Sequence, residues 1–308
     1  MNIMTLINAL PGAVAQGLIW GIMAIGVYLT FRILDFADLT VDGSMCTGGA
    51  VCIMMMQAGF GVWPSMLAAT GAGMLTGLAT GIFHTCMGIP AILSGILTQL
   101  SLYSVNLKIM GKANQAISVG KYDLLVSLRY IKGVPFYQNT IFVVAVFIVV
   151  LIAVLYWFFG TELGCAIRAT GCNSSMSRAQ GINTSFNKVL GLMVSNGLVA
   201  LSSALLAQYQ GFADINMGRG AIVIGLAAVI IGEAVFNKIF RNFALRLLGV
   251  ALGSILYYLV LQTVIWLGID TDLLKLLSAI VVAIFLATPY WKGKYFSKPM
   301  KRGGNSNA

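Results

Sequence analysis

Residues 36–44 read Phe36-Ala37-Asp38-Leu39-Thr40-Val41-Asp42-Gly43-Ser44, and their pattern returns at residues 212–217 as Phe212-Ala213-Asp214-Ile215-Asn216-Met217. In each copy Phe-Ala-Asp is followed by Leu or Ile, a small polar residue, and Val or Met. Each copy then leads into an apolar run rich in glycine and alanine, which puts a carboxylate into a hydrophobic setting. Internal repetition marks related units of one fold. We therefore predict repeat-like elements that begin near residues 36 and 212.

The composition is that of an integral membrane protein. Of the 308 residues, 59% are hydrophobic and 9% are charged, whereas soluble domains carry about 25% charged residues. The charges are also segregated, and none lies between Asp42 and Lys108. Because about 20 apolar residues cross a bilayer, this run alone is long enough for about three spans. The predicted fold class is all-α, a polytopic transmembrane helical bundle.

About nine spans, within a range of roughly eight to ten, are expected in a single transmembrane domain over residues 1–308. They are predicted near residues 10–31, 36–57, 63–87, 91–107, 140–160, 189–208, 212–236, 247–268 and 276–291. More than half of the 19 Lys and Arg lie in residues 161–188, residues 237–246 and the C-terminal tail. Basic segments stay in the cytoplasm, so these three are predicted there, with residues 108–138 and the N-terminus outside. The spans after the two Phe-Ala-Asp copies then run in opposite directions, which predicts inverted repeats with a pathway at their interface.

Several function classes are disfavoured by the residue types available. Gly-Lys pairs at residues 111–112, 120–121 and 293–294 lack the earlier glycine of a phosphate-binding loop. A single histidine, His84, and five cysteines without a Cys-x-x-Cys pair offer no metal site. Since no nucleophile–histidine set is present either, the chain is not expected to be an enzyme. Its net charge of +10 comes from loops and tail, so nucleic acid is not an expected partner.

Carboxylates inside membrane spans are costly, and their default interpretation is functional. For Asp38 and Asp214 two hypotheses stay open: they cap the starts of broken helices, or they contact a substrate or ion. Asp42 has no counterpart in the second copy and is the sharper functional candidate. Glu233, near Lys238 and Arg241, is expected to be a salt-bridge or interface residue. The candidate pathway residues are Asp38, Thr40, Asp42, Ser44, Asp214 and Asn216.

Residues 169–182 resemble the cytoplasmic coupling segment of permeases of the branched-chain amino acid/ribose ABC importer superfamily, with its Ala-x-Gly-x-Asn, helical Arg and Gly-Ile. The matching positions are Ala169, Gly171, Asn173, Arg178, Gly181 and Ile182. Residues 226–232 and 38–44 resemble two further family elements. Departures from the pattern are Asp42, an extra residue, together with Met176, Ser177 and Glu233. These departures argue against a plain ribose permease. The chain resembles most the subgroup of permeases associated with the import of amino acids, including tryptophan and tyrosine.

The resemblance implies a set of partners. An ABC ATPase dimer would bind ATP and Mg²⁺ and dock on residues 161–184, which leaves this chain without a cofactor or metal of its own. A periplasmic or extracellular substrate-binding protein or lipoprotein would seat on outer loops such as residues 108–138. A second permease copy or a paralogue would complete the pathway in the bacterial inner membrane, surrounded by lipid.

The expected substrate is a small polar solute, foremost an amino acid, with aromatic amino acids included. An ABC permease for nucleosides or sugars is an alternative within the same family. An ion-coupled secondary transporter is an alternative from another class, in which Asp38, Asp42 and Asp214 would bind Na⁺ or protons. Dependence of transport on a separate ATPase discriminates between the two classes.

Overall fold

The computed structural model describes residues 3–118, 122, 124–131, 138–236, 240, 242–267, 276, 279–280, 282–284 and 287. Its helices in this part of the chain are α1 (Ile3–Tyr28), α2 (Val41–Gln57), α3 (Val62–Thr85), α4 (Ala91–Met110), α5 (Thr140–Gly160), α6 (Glu162–Cys172), α7 (Ser174–Ala179), α8 (Thr184–Gln210), α9 (Ala221–Phe236) and α10 (Phe243–Trp266). A π-helical turn (Leu29–Ile33) extends α1, and a 3-10 turn (Leu128–Ile131) precedes α5. Two short strands are β1 (Asn114–Ala116) and β2 (Phe212–Asp214).

The helices form a polytopic bundle, as the composition predicts. Within the described residues, five stretches are long and apolar enough to cross a membrane, and they are Ile7–Ile33, Val62–Thr85, Thr140–Gly160, Thr184–Gln210 and Phe243–Trp266. Helices α2 and α9 are shorter, with 17 and 16 residues. The span predicted at residues 276–291 and the basic tail lie mostly or wholly outside the described residues.

Helices α1 and α8 lie at the centre of the bundle. Of their apolar stretches, 83% and 67% are buried, against 28% for α5. Two serines of α8 donate hydrogen bonds to carbonyls of α1, Ser202 to Ile19 (2.7 Å) and Ser195 to Gly26 (2.8 Å). Because residue numbers rise along one helix as they fall along the other, α1 and α8 are antiparallel.

Small residues let α3 pack closely against α8. Gly73, Gly77 and Gly81 recur every fourth residue, and a Cβ on any of them would meet α8. At Gly77 the obstacle is the backbone of Leu192, and at Gly73 it includes the side chain of Ala200. This spacing allows the close helix approach that association in lipid requires.

Helix α1 packs against α10 in the same manner. A Cβ on Gly17 or Gly21 would contact α10 near Ser254 and Ala251, and the Ser254 hydroxyl donates a hydrogen bond to the Gly17 carbonyl. Each central helix is therefore paired in antiparallel fashion with a glycine- or serine-bearing helix that is distant in sequence.

The short helices α2 and α9 complete the pattern. Helix α2 runs parallel to α8, and its Gly48 lies against the Ala200 backbone. Helix α9 runs parallel to α1, and its Gly225 lies against Val27. Thus α1 is flanked by α9 and α10, while α8 is flanked by α2 and α3.

The second Phe-Ala-Asp copy forms a strand rather than the direct start of a helix. β2 pairs antiparallel with β1, with Asn114 opposite Asp214 and Ala116 opposite Phe212. The side chain of Gln57, at the end of α2, donates to the Ala116 carbonyl (2.9 Å). This pair is the departure from the all-α prediction within the described residues, and it lies where α2 and α8 end.

Helix α5 carries the most lipophilic outer surface. Trp157 and Val149 are 71% and 62% exposed on it. A helix of this composition with an exposed apolar face is stable where hydrocarbon covers it.

Candidate functional site

The starts of α2 and α9 meet inside the bundle at Asp42. Its two carboxylate oxygens accept hydrogen bonds from the backbone N–H groups of Gly220 and Ile222, both at 3.0 Å. The first turn of a helix has N–H groups without partners and a positive dipole end, so a carboxylate there stabilises it. Gly220 has a φ of +83°, which glycine adopts without strain, and a Cβ on Gly218 would overlap the Asp42 carbonyl. Asp42 therefore caps a helix 178 positions away in sequence.

The repeated aspartates form the same local turn in both copies. Asp38 Oδ1 accepts from the Thr40 N–H (2.9 Å), and Asp214 Oδ1 accepts from the Asn216 N–H (2.7 Å). This is the turn in which an aspartate side chain bonds the backbone two residues on. Asp38 is 3% exposed, whereas Asp214 is half-buried. The two turns therefore share local geometry and differ in their surroundings.

Asp38 anchors a buried polar network between α2, α3 and α8. Its Oδ2 accepts from Asn196 Nδ2 on α8 (2.7 Å). The Ser44 hydroxyl donates to Asn196 Oδ1 (2.6 Å) and also contacts the Thr76 hydroxyl on α3 (2.6 Å). All four side chains are at most 5% exposed. A buried carboxylate is tolerated because these donors satisfy it.

A row of threonine hydroxyls extends the network to α4. Thr40 contacts Thr80 on α3 (2.6 Å), and Thr80 donates to Thr98 on α4 (2.9 Å). The start of α2 is thus fixed by polar contacts to three neighbouring helices.

The six candidate pathway residues fall into two groups. Asp38, Thr40 and Ser44 belong to the buried network, and Asp42 lies beside it at the start of α9. Asp214 and Asn216 lie at the β-strand pair, where Asn114 Nδ2 donates to Asp214 Oδ2 (3.3 Å). Cys46 of α2 connects the groups through a 3.7 Å contact from its Sγ to the Asp214 carbonyl oxygen.

A cleft of about 310 Å³ opens beside Asp42. Its walls include Gln99, Tyr103 and Asn106 of α4 and Arg219 from the turn before α9. These four residues are not among the candidate pathway residues predicted from the sequence. The signal was the spacing of 99, 103 and 106, which places three side chains with polar atoms on one face of a helix.

The predicted coupling segment forms two short helices joined at Asn173. The Asn173 side chain caps α7 by accepting from the N–H groups of Ser175 (3.1 Å) and Met176 (3.0 Å). Its own N–H donates to the Ala169 carbonyl at the end of α6 (3.0 Å). Asparagine is a favoured residue at this position because its side-chain oxygen satisfies free N–H groups.

A glycine turn closes α7. Gly181 has a φ of +80°, and the Ile182 N–H donates to the Ser177 carbonyl (3.0 Å). No atom lies within 4 Å of a Cβ built on Gly181, so its requirement is conformational and not one of space.

The two short helices are seated on the end of α1. A Cβ on Gly171 would overlap the carbonyl of Ile33. The outward side of the segment exposes Arg178 and the apolar side chains of Met176 (62%), Leu163 (48%) and, at the start of α8, Phe186 (53%). Its inner side is therefore fixed to the bundle while its outer side is free.

Glu233 forms an ion pair with Arg32, which is one of the two roles that the sequence predicted for it. Arg32 Nε donates to Glu233 Oε1 (2.9 Å), and a second guanidinium nitrogen contacts Oε2. Because α9 runs parallel to α1, both side chains reach the same end of the bundle. Lys238 and Arg241 lie outside the described residues.

Metal ligands do not cluster in the described part of the chain, where no three His, Cys, Asp or Glu side chains lie together. The cysteines there are Cys46, Cys52, Cys86, Cys165 and Cys172, all free thiols.

Residues 10–286 match the family model described as the permease component of a branched-chain amino acid transport system. A tyrosine transport system permease protein of Clostridioides difficile is 38% identical over 281 residues, which are 91% of each chain. An uncharacterized protein of Rickettsia prowazekii is 35% identical over 91% of this chain and 98% of its own. A fructose import permease protein of Bifidobacterium longum is 26% identical over 86% of this chain and 73% of its own. No solved structure matches the chain.

Proposed function

This chain belongs to the family of permease components of branched-chain amino acid transport systems, and from that premise we propose that it forms the membrane pathway of an ABC importer for an amino acid. It is a multi-pass membrane protein and a transport subunit, not an enzyme. The observation that carries the pathway is the meeting of the α2 and α9 starts at Asp42. Broken helices of this kind are tolerated in membranes where they line a pathway.

The substrate class rests on the relatives. The relative at 38% identity is named for tyrosine transport, and the one named for fructose import is 26% identical. An amino acid, with aromatic ones included, is therefore favoured over a sugar or nucleoside. Two charged side chains, Asp42 and Arg219, lie in the wall of the cleft and suit a solute that carries both signs of charge.

We infer that the chain is a single domain, over residues 1–308, built from two inverted repeats with about nine spans. The support is that each central helix packs against helices from the other half of the chain. Helix α1 packs against α9 and α10, and α8 packs against α2 and α3. Helices α1 and α8 are antiparallel, so the second set is inverted relative to the first. The matching aspartate turns at Asp38 and Asp214 begin each broken-helix element.

The partners are those of a binding-protein-dependent importer. An ATPase dimer, which supplies the ATP and Mg²⁺ sites, would dock on residues 161–184, whose outer side is exposed. A substrate-binding protein or lipoprotein would seat near residues 108–138 at the opposite end. A second permease copy or paralogue would complete the pathway in the bacterial inner membrane.

Transport in this arrangement needs no covalent chemistry from the chain. ATP binding and hydrolysis would favour the inward-open or the outward-open state in turn, because the partner ATPase binds the two states differently. The coupling segment touches the end of α1 at Ile33, and α1 continues into the turn at Asp38. Movement of the segment would thus reach the start of α2 through one short connection.

The proposal is tested by uptake of labelled L-tyrosine into cells that carry or lack this chain. We expect uptake to require the chain, to persist when ionophores collapse the Na⁺ and proton gradients, and to stop when ATP is depleted. Uptake that follows the ion gradients and ignores ATP would instead identify an ion-coupled transporter.

A further inference from the structure

The cleft beside Asp42 presents one negative and one positive side chain that are not paired with each other. Asp42 contributes its carboxylate from α2, and Arg219 contributes its guanidinium from the turn before α9. The ion pair found among the described residues is Arg32–Glu233, at the far end of α9. Arg219 is exposed and lies within the cleft wall. Opposite charges held apart in an apolar surrounding suit a ligand that carries both.

Asn106 gives the cleft an unused acceptor. The side chain is 1% exposed and donates from Nδ2 to the Gly43 carbonyl (3.4 Å). Its Oδ1 is buried and has no hydrogen-bond partner among the described residues. Buried polar atoms are almost always bonded, so an orphan in a cleft wall points to a donor that arrives with a ligand.

Tyr103 supplies an aromatic face one turn away. It is 46% exposed, it follows Gln99 by four residues and precedes Asn106 by three, and all three line the cleft. Aromatic side chains attract other rings in offset or edge-to-face contact, beyond the effect of buried area. The volume of about 310 Å³ lies at the small end of ligand sites, which fits one amino acid better than a peptide.

We propose that this cleft is a substrate-binding site of the permease for a zwitterionic α-amino acid with an aromatic side chain. Arg219 binds the carboxylate, Asp42 and Asn106 Oδ1 accept from the ammonium group, and Tyr103 contacts the ring. A guanidinium holds a carboxylate with two parallel hydrogen bonds, which makes it specific as well as strong. Asp42 keeps free lone pairs for the ammonium group after accepting two backbone N–H groups.

This site rests on the proposed importer function and is more specific than that function. It places discrimination in the membrane subunit as well as in the binding protein. A solute without a carboxylate would leave Arg219 unpaired in the cleft, which disfavours its passage.

The test uses the full complex of permease, ATPase and binding protein in proteoliposomes, with labelled L-tyrosine as the probe. We expect Arg219→Gln to lower the tyrosine moved per ATP hydrolysed by about tenfold or more, because a charge-assisted pair is lost. Arg219→Lys keeps the charge and should retain more transport than Arg219→Gln. Arg246→Gln, which changes an exposed arginine on α10 outside the cleft and outside both proposed docking segments, is the matched control and should transport normally.

A second pair of variants tests the site at exposed positions, where a truncated side chain should not prevent folding. Tyr103→Ala should lower the same ratio by about threefold to tenfold through lost ring contact. Tyr156→Ala, on α5 and 50% exposed, should leave it unchanged. Both tyrosines are half-exposed, so neither truncation opens a cavity in the core.

The outcomes separate the two claims. If wild-type complex moves tyrosine and both Arg219→Gln and Tyr103→Ala match their controls, the cleft is not the site, while the importer function stands. If the wild-type complex moves none of tyrosine, phenylalanine, tryptophan or leucine, the proposed amino-acid import fails and the site fails with it.

Discussion

At the scale of single residues, Asp42 connects two helices that the sequence keeps far apart. It is the extra residue of the family-like element at residues 38–44, and its carboxylate accepts hydrogen bonds from backbone N–H groups at the start of α9. The second copy of the repeat has no such carboxylate. The asymmetry has a structural consequence, since one aspartate serves the start of α9 and faces the cleft.

Replacing Asp42 by Asn removes the charge and one acceptor. The loss weakens the start of α9 by about 1 kcal/mol, because asparagine still accepts one backbone N–H. We expect uptake by the reconstituted complex to fall by roughly tenfold, since the ammonium contact is lost as well. Asp272→Asn, between the spans predicted at residues 247–268 and 276–291, is the comparison. Equal effects of the two substitutions would remove the reason for singling out Asp42.

Gly171 is a second position at which one added carbon atom would disturb the contact between two helices. A Cβ there overlaps the Ile33 carbonyl, so even Gly171→Ala must push α6 away from α1. Overpacking of this size costs about 1–3 kcal/mol, and we expect substrate-stimulated ATPase activity to fall by roughly tenfold. Gly160→Ala at the end of α5 meets nothing within 4 Å and serves as the control. Normal coupling in Gly171→Ala would contradict the docking role of this segment.

At the scale of helices, glycine stripes determine which pairs form. Helix α3 has the weak amphipathic pattern typical of membrane helices, so sequence alone did not show its partner. The glycines at residues 73, 77 and 81 form its packing face, and the structure identifies the partner as α8. Packing and interhelical hydrogen bonds hold helices together in lipid, because lipid removes the hydrophobic drive between them.

Two glycines of α3 offer a matched pair of substitutions. Gly77→Leu would drive a side chain into the α8 backbone, whereas Gly71→Leu meets open space. We expect Gly77→Leu to lower the thermal stability of the detergent-solubilised protein, with a cost of about 3 kcal/mol or more. Gly71→Leu should melt as the wild type does. Similar melting of both variants would show that the α3–α8 contact is not close.

At the scale of the whole molecule, the class of the protein and the position of most helices were predictable. Long apolar runs and the Ala-x-Gly-x-Asn segment are local signals, which can be recognised in the sequence without knowledge of the fold. The Asp42–Gly220 and Arg32–Glu233 contacts join residues 178 and 201 positions apart. Such contacts depend on how helices from one half of the chain pack against helices from the other half. Composition and periodicity do not encode that packing.

The strand pair shows the same limit on a smaller scale. Residues 212–214 were predicted to begin a membrane span over residues 212–236, whereas α9 begins at Ala221. They pair instead with residues 114–116. Three-residue strands carry too little pattern to be recognised, and their partner lies in a polar segment whose path the sequence does not reveal.

The orientation of the whole molecule can be checked with its own cysteines. Cys165 and Cys172 are exposed on α6, in the segment expected inside the cell. A membrane-impermeant maleimide should label them in inverted vesicles and not in intact spheroplasts. Asn114→Cys, at the strand pair of the opposite end, should show the reverse pattern once the exposed Cys86, Cys165 and Cys172 are replaced by serine. Labelling of Cys165 from outside would reverse the predicted topology.

Uptake of L-tyrosine by proteoliposomes tests the importer function most directly. The liposomes hold either this chain alone, under an imposed Na⁺ or proton gradient, or the chain with its ATPase and binding protein and with ATP on the cytoplasmic side. We expect no uptake by the chain alone and uptake by the full complex that stops when ATP is replaced by a non-hydrolysable analogue. Gradient-driven uptake by the chain alone would contradict the importer function.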